Sequence, residues 1–273
     1  MKKVNLMDYL DEVTAFSLEH EEPAWMTELR TTALKNADES ELPHIDRVKF
    51  HRWPLLNVHM ESYVPSEGNV ASFDQMKDNP LIVQQGSFHA FEQLPASLAE
   101  QGVIFTDIFT ALQEHPELVK EYYMTKAVLP EEDKLTAAHA AFMNSGVFLY
   151  VPKNVVIEEP IESLFIQDSD SNQPFFKHVL IVADNHSEFS YLERFQSTGH
   201  HAEKASGNIV VEVIAKDGAK VKYSAVDQLG QTVTTYMNRR GYIMRDASVD
   251  WALGVMNDGD VVADRSEERR VGK

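Results

Sequence analysis

Three segments in the second half of the chain repeat one pattern about every thirty residues. Each has an apolar run, a tight polar turn, and then apolar and aromatic residues that alternate with polar ones. The equivalent apolar places are held by Phe189, Val221 and Val249, and the aromatic places by Tyr191, Tyr223 and Trp251. A fourth turn, at 257–260, begins another such unit. This period predicts stacked rungs in which equivalent residues form columns inside a β-solenoid.

The spacing of apolar residues along the sequence changes near Gly146. Residues 146–264 show no helical period and predict a right-handed parallel β-helix, with an antiparallel sandwich as the alternative. Residues 1–145 predict a mainly helical region that contains an extended segment near 42–70. The predicted fold class is therefore α+β, a helical N-terminal region followed by a truncated β-solenoid.

Three helices in the first region are specific enough to test. Pro23 stands at a helix start, and apolar residues between 25 and 34 recur at helical spacing. The apolar stripe from Phe105 to Leu112 predicts a second helix. Residues 135–143 predict a third, which we expect to end at Asn144-Ser145-Gly146.

Composition narrows the possible partners. The formal charge is −18, which disfavours phosphate backbones and anionic membrane surfaces, so we expect neither nucleic acid nor membrane binding. The apolar runs are far shorter than the roughly 20 residues of a membrane-spanning helix, and no secretory signal is readable, so we expect a cytoplasmic protein. The chain has no cysteine, so it cannot by itself hold a thiolate-ligated cluster.

Histidines supply the candidate sites for metal or acid–base chemistry. Three groups come into question: His44, His51 and His59 with Asp46 or Glu61; His200 and His201 with Glu203; and His186 with Glu188. Solvated loops and turns are the commoner setting for such residues, and neighbouring side chains of an extended backbone point apart. The usual nucleotide, hydrolase and zinc-protease motifs are absent from the sequence. We therefore assign no catalytic, cofactor-binding or metal-binding residue and expect no enzyme.

Several longer motifs occur in a fixed order along residues 1–264. They are WMTELR at 25–30, VKFHRWP at 48–54, LTAAHAAFMNSG at 135–146, KHVLIV at 177–182 and RDA at 245–247. With these motifs the chain resembles the SufB/SufD family, the scaffold subunits of the SUF iron–sulfur cluster assembly system. The order of Leu42-Pro43 and then His51-Arg52-Trp53 favours the SufD branch over SufB.

The resemblance implies a helical region, a right-handed parallel β-helix, and assembly with a SufB-like paralogue and a SufC-like ATPase. It implies an iron–sulfur cluster, and a flavin as a further component, only at the level of the assembled complex. Family members continue well past residue 264, and their ATPase-docking and cluster-building residues lie in that later part, so no such residue is carried over. Residues 265–273 match one reading frame of a widely used DNA-sequencing adapter, and we expect them to be a non-native tail.

Two other functions compete with the scaffold interpretation. A β-helix carbohydrate-active enzyme would gather charged residues on one solenoid face, and the candidates are Asp227, Arg239, Arg240, Arg245 and Asp250. Such enzymes are commonly secreted, which the missing signal disfavours. The other alternative is a protein-interaction β-solenoid unrelated to iron–sulfur assembly.

Overall fold

The fold consists of a helical layer followed by a solenoid of parallel strands. A computed structural model describes residues 5–58, 60, 63, 79–169, 171–199 and 204–269. The helices are α1 (Leu10–Glu19), α2 (Ala24–Glu39), α3 (Ala96–Ala99), α4 (Ile108–Glu114), α5 (Pro116–Tyr122) and α6 (Lys134–Phe142). The strands are β1 (Leu81–Gln85), β2 (Phe88–Gln93), β3 (Ile104–Asp107), β4 (Ser145–Val151), β5 (Ile161–Asp168), β6 (Phe175–Ala183), β7 (Glu188–Thr198), β8 (Ala205–Ala215), β9 (Lys220–Gln228), β10 (Val233–Ile243), β11 (Ser248–Val255) and β12 (Val261–Arg269). Short 3-10 turns occupy Leu6–Tyr9 and Phe50–Arg52.

The strands form two six-stranded sheets. Sheet A has the order β11-β9-β7-β5-β1-β2, and sheet B has the order β12-β10-β8-β6-β4-β3. The chain alternates between the sheets, so strands of one sheet pair in parallel with strands two positions away in sequence. Each sheet ends in one antiparallel pair, β2 with β1 in sheet A and β3 with β4 in sheet B. The predicted β-solenoid is confirmed, with about four turns, and the antiparallel sandwich is wrong.

The repeated residues stack inside the solenoid as the sequence predicts. Val221 pairs in register with Phe189 on one side and Val249 on the other, and the three are at most 5% exposed. The aromatic column runs beside them, with ring centroids 5.5 Å apart for Tyr191 and Tyr223. Burying each of these side chains contributes roughly 1.5–3 kcal/mol, so the columns stabilise rung stacking.

The turns between rungs also stack. A left-handed residue stands at the same place in four successive turns: Asn154, His186, Gly218 and Asp246. Backbone hydrogen bonds join one turn to the next, as from His186 N to Asp217 O at 2.9 Å. Asn, Asp, His and Gly tolerate this conformation best, which explains why the turns contain them. The histidine ring packs closely over Gly218, where an added Cβ would lie 2.2 Å from Nδ1 of His186.

The two sheets differ in how much of them is covered. In sheet A, β9 alternates buried and exposed residues, because only one face packs on the solenoid core. In sheet B, β6 and β8 are buried along their whole length. One face of sheet B, with Val179 and Val211, packs in the solenoid core, whereas the other, with Leu180 and Val210, packs against the helical layer.

Buried polar contacts hold the helical layer together. The guanidinium of Arg30 in α2 pairs with Glu22 at 2.5 Å, and both side chains are fully buried. The same guanidinium donates from Nη1 to the carbonyl of Ala141 in α6 at 3.0 Å. Asp133 caps α6 by accepting from the amides of Leu135 and Thr136. These contacts tie α2 to α6 and fix where α6 begins.

The structure corrects two of the predicted helices. Phe105 lies in β3, and the helix that follows begins at Ile108 with Asp107 as its cap, so the stripe from Phe105 to Leu112 is not one helix. Gly146 lies in β4 and does not cap α6, which ends at Phe142. It is needed there because an added Cβ would lie 2.1 Å from the carbonyl oxygen of His178. The predicted helix after Pro23 is confirmed as α2.

The last strand bears on the expected tail. β12 runs from Val261 to Arg269 and pairs in parallel with β10 throughout its length. Residues 265–269 therefore adopt the geometry of a rung. The proposal that residues 265–273 are a non-native tail, and the boundary at 145/146, stay predictions.

Candidate functional site

The histidines singled out in the sequence do not form a site among the described residues. Nε2 of His44 lies 3.6 Å from Oδ1 of Asp46, but both side chains are more than 90% exposed. His51 is exposed in the turn at 50–52. His186 is exposed in its turn. Nearby, Oε2 of Glu188 pairs with Nζ of Lys220 at 3.4 Å. His59, Glu61, His200, His201 and Glu203 lie outside the described residues.

The charged residues of a carbohydrate-active enzyme do not converge either. Asp227 and Arg239 are buried inside the solenoid. Arg240 lies on the opposite face of sheet B, where it contacts Glu132 of the helical region at 2.6 Å. Arg245 is at an exposed turn, paired with Asp217, and Asp250 is exposed on sheet A. No single face presents them together, so this alternative loses its catalytic residues.

The structure instead brings together buried groups that the sequence analysis did not assign. The first is the histidine cluster, formed by His139 of α6, His178 of β6, and Asn208 and Glu212 of β8. Nε2 of His139 lies 3.0 Å from Nδ1 of His178, and Nδ1 of His139 lies 3.2 Å from Oδ1 of Asn208. Nε2 of His178 lies 3.2 Å from Oε2 of Glu212. The cluster sits between the helical layer and sheet B.

Backbone groups of the helical region complete this cluster. The amide of Met124 donates to Oε2 of Glu212 at 2.7 Å, and the amide of Val128 donates to Oε1 at 3.1 Å. Burial raises the pKa of Glu212 to about 8, against the opposing effect of these two donors. Burial also lowers the pKa of His178 to about 3 and that of His139 well below its usual range. Burial thus favours the uncharged form of all three side chains.

The second group is the arginine cluster inside the solenoid: Arg239 of β10, Glu193 of β7 and Asp227 of β9. Nη2 of Arg239 donates to Oε1 of Glu193 at 2.6 Å and to Oδ1 of Asp227 at 2.7 Å. Nη1 donates to Oδ2 of Asp227 at 3.0 Å, which makes that pair bidentate. All three side chains are at most 1% exposed. The cluster thus joins both sheets across the core.

The third group surrounds Lys177 of β6. Its Nζ donates to Oε1 of Gln84 at 2.8 Å and to the carbonyl of Gly86 at 3.1 Å. The amide of Gln84 in turn donates to Oδ2 of Asp107 at 2.7 Å. Burial lowers the pKa of Lys177 to about 7, whereas the nearby Asp107 acts to raise it. The side-chain amide of Gln84 thus bridges Lys177 and Asp107 at the start of the solenoid.

A different kind of surface lies at the other end of the solenoid, on the rung formed by β11 and β12. β11 pairs with β9 and β12 pairs with β10, and within the described ranges no strand pairs with their outer edges. Val255 and Met256 beside this edge are 41% and 55% exposed. Unpaired strand edges and apolar side chains favour the addition of further strands.

Membrane-spanning helices and metal centres are the remaining classes of site to consider in the described residues. None of the helices there combines the length and the apolar character needed to cross a membrane. In the same residues, no group of three or more His, Cys, Asp or Glu side chains is placed to hold a metal ion.

A charged residue inside an apolar run is the sequence signal for the buried groups. Glu212 stands within Ile209-Val210-Val211-Glu212-Val213-Ile214, and Lys177 and His178 precede the apolar run 179–183. In a strand buried on both faces, such a residue must find a buried partner. The partner itself cannot be read from the sequence.

Comparison with known proteins gives a consistent family. A model of the SufBD N-terminal region matches residues 3–162, and a model of the SufBD core domain of SUF system FeS cluster assembly matches residues 165–267. The iron–sulfur cluster assembly protein SufD of Bacillus subtilis is 42% identical over 263 residues, which cover 92% of this chain and 60% of that protein. A SufBD family protein of Staphylococcus epidermidis is 28% identical, covering 89% and 55%. The chain thus spans between half and two thirds of the length of these relatives.

Proposed function

The chain belongs to the SufB/SufD family of iron–sulfur cluster assembly proteins, and we propose that it acts as a non-enzymatic, SufD-like scaffold subunit of a SUF complex. The observation that carries this proposal is the match of two family models in series, one on the helical layer and one on the solenoid. The 42% identity to a SufD protein supports the SufD branch. This similarity extends over 92% of the chain, so it is not confined to one motif.

The proposed partners are a SufB-like paralogue and a SufC-like ATPase. Because this chain has no cysteine, the thiolates that hold a nascent cluster would come from another subunit. The cluster, and any flavin, would then be components of the assembled complex. We place the complex in the cytoplasm. The rigid, parallel-stranded solenoid supports a scaffold role, because stacked rungs present long surfaces of fixed geometry.

Co-purification tests the proposed assembly. The SufB-like paralogue and the SufC-like ATPase of the same organism would be co-expressed with this chain, and separately with a gene product of the length of the B. subtilis protein. We expect a stable complex with the longer product, and an unrelated ATPase serves as the control. Failure of the longer product to retain either partner would contradict the scaffold function.

Anaerobic reconstitution tests which subunit supplies the ligands of the cluster. Incubated alone with iron and sulfide, the chain should remain colourless, whereas the complex with the SufB-like subunit should acquire the absorption of a cluster. A stable, cluster-bearing isolated chain would show that side chains other than thiolates bind the cluster here, and the proposed role would be wrong.

A further inference from the structure

The histidine cluster is the main polar contact between α6 and sheet B. His139 comes from α6, His178 from β6, and Glu212 from β8, and the relative exposure of each of these residues is 0%. Glu212 also holds the backbone of the segment after α5 through the amides of Met124 and Val128. A change in the charge of this cluster therefore acts on the attachment of the helical layer to the solenoid.

The hydrogen bonds fix where the ring protons lie. Asn208 donates from Nδ2 to the carbonyl of Leu135 at 2.9 Å, so its Oδ1 faces His139. Nδ1 of His139 must then carry the proton that it donates to Oδ1. A neutral imidazole has one N–H, so Nε2 of His139 is an acceptor, and Nδ1 of His178 donates to it. Nε2 of neutral His178 is consequently left without a proton.

This leaves two acceptors facing each other. The unprotonated Nε2 of His178 and Oε2 of Glu212 lie 3.2 Å apart, where a lone pair and a carboxylate would repel. One of the two groups must therefore carry a proton. With the proton on the ring, imidazolium and carboxylate would form a buried ion pair, which needs a short, aligned, charge-assisted bond to offset desolvation. Nε2 of His178 has no aligned hydrogen-bond partner within the described ranges, so nothing offsets that cost. A proton on the carboxyl leaves both groups neutral, and full burial favours this arrangement.

We propose that Glu212 holds a buried proton at the joint between the helical layer and sheet B, and that the joint is a pH-sensitive latch which loosens when this proton is lost. The inference is independent of the proposed function, because it depends only on the proton count in the cluster. The proton goes to solvent when the latch opens, and it is regained from solvent on closure.

The charged groups around the cluster act in two directions. Arg30 of α2 disfavours a positive charge on His139, although Glu22 pairs with Arg30. Arg240 of β10 favours the carboxylate form of Glu212, although Arg240 is itself paired with Glu132. Tyr123 stacks on His178 with ring centroids 4.2 Å apart. Burial raises the pKa of Tyr123, so it stays neutral. Burial is the largest effect on both Glu212 and the two histidines.

The direction of the pH effect follows from linkage. The pKa of Glu212 is raised from 4.5 to about 8 in the folded chain, so the closed latch binds one more proton than the open latch between these values. Its stabilisation is complete below the lower value and is lost as pH rises to the upper one. Above that pH the carboxyl is ionised in both states, and the effect is constant.

Nuclear magnetic resonance of the wild-type chain tests the proton positions directly. Nitrogen-15 spectra of the histidine rings at pH 7 should show His139 and His178 as neutral Nδ1–H tautomers. The carboxyl carbon of Glu212 should titrate well above the range of the exposed glutamates. A doubly protonated His178, or a Glu212 that is ionised at pH 6, would overturn the proposal, and this measurement needs no variant to fold.

Hydrogen exchange of the Met124 and Val128 amides tests the latch. Glu212→Gln resembles the protonated carboxyl but cannot ionise. In this variant the protection of the Met124 and Val128 amides should therefore lack the pH dependence that ionisation of Glu212 causes. The ratio of wild-type to variant protection should fall about tenfold per pH unit between pH 5 and pH 8 and then level off. The control is Glu188→Gln, at an exposed glutamate paired with Lys220, and it should leave the ratio flat. A flat ratio for Glu212→Gln as well would refute the latch.

Discussion

The arginine cluster gives the sharpest test of how the solenoid core is stabilised. Arg239→Met removes the guanidinium that pairs with both Glu193 and Asp227, and it leaves two carboxylates buried in an apolar core. Removing one partner of a buried ion pair costs about 3–5 kcal/mol, because the other charge stays desolvated. In a chain of this size that corresponds to a fall in Tm of roughly 6–20 °C.

A second variant separates charge from packing. In the triple variant Arg239→Met, Glu193→Met and Asp227→Leu, all three side chains are apolar and of roughly the volume of the originals, so that no buried polar group is left without a partner. Replacing a buried ion pair as a whole is often neutral, so we expect stability within about 2 kcal/mol of the wild type. Urea unfolding followed by tryptophan fluorescence measures both changes.

The control for the charge itself is Arg245→Met. Arg245 is paired with Asp217 on an exposed turn, and an exposed pair contributes at most about 1 kcal/mol. If the single and triple variants at Arg239 lost the same stability, packing and not unpaired charge would explain the effect. The argument from desolvation would then be wrong.

Two further predictions concern backbone contacts and the last rung. Gly146→Ala should lower the free energy of unfolding by about 3 kcal/mol, because the added Cβ meets a backbone carbonyl of β6. Gly218→Ala should lower it by only about 1 kcal/mol, because alanine is strained in the left-handed backbone but the neighbouring His186 ring can move. Equal losses of stability in thermal unfolding would contradict this order. Hydrogen exchange across 242–262 should be faster in this chain than in a gene product of the length of the B. subtilis protein, because an added rung would cover the edges of β11 and β12. Equal protection in both would show that the edges need no cover.

The solenoid could be predicted because its signal repeats. Phe189, Val221 and Val249 each follow a turn of the same form, so three weak local patterns support one register. β3 had no such support. Phe105 precedes a helix directly, and its apolar neighbours fit a helical stripe as well as a short strand. Its pairing with β4, which lies more than thirty residues later, decides between the two, and a local pattern contains no information on that pairing.

The buried clusters could not be predicted for a related reason. His139 and His178 belong to the family motifs at 135–146 and 177–182, but their contact depends on how α6 crosses sheet B. Arg239 and Arg240 are neighbours in the sequence, yet one enters the solenoid core and the other faces the helical layer. Alternation along a strand explains this split, but only the topology shows which face holds a carboxylate. The enzyme alternative required them on one face, and the structure does not bring them together there.

The buried clusters also explain how the register of so uniform a fold is specified. A slip of β9 by two residues would keep apolar side chains inside, because inward and outward positions alternate with a period of two. It would, however, move Asp227 by about 6.6 Å along the strand, away from a guanidinium that now holds it at 2.7–3.0 Å. Likewise, a shift of α6 by one turn, about 5.4 Å, would separate His139 from His178. Apolar columns favour stacking in general, whereas each ionic or imidazole contact exists in one register alone. We infer that the solenoid tolerates these desolvated groups because they distinguish the native arrangement from its close alternatives.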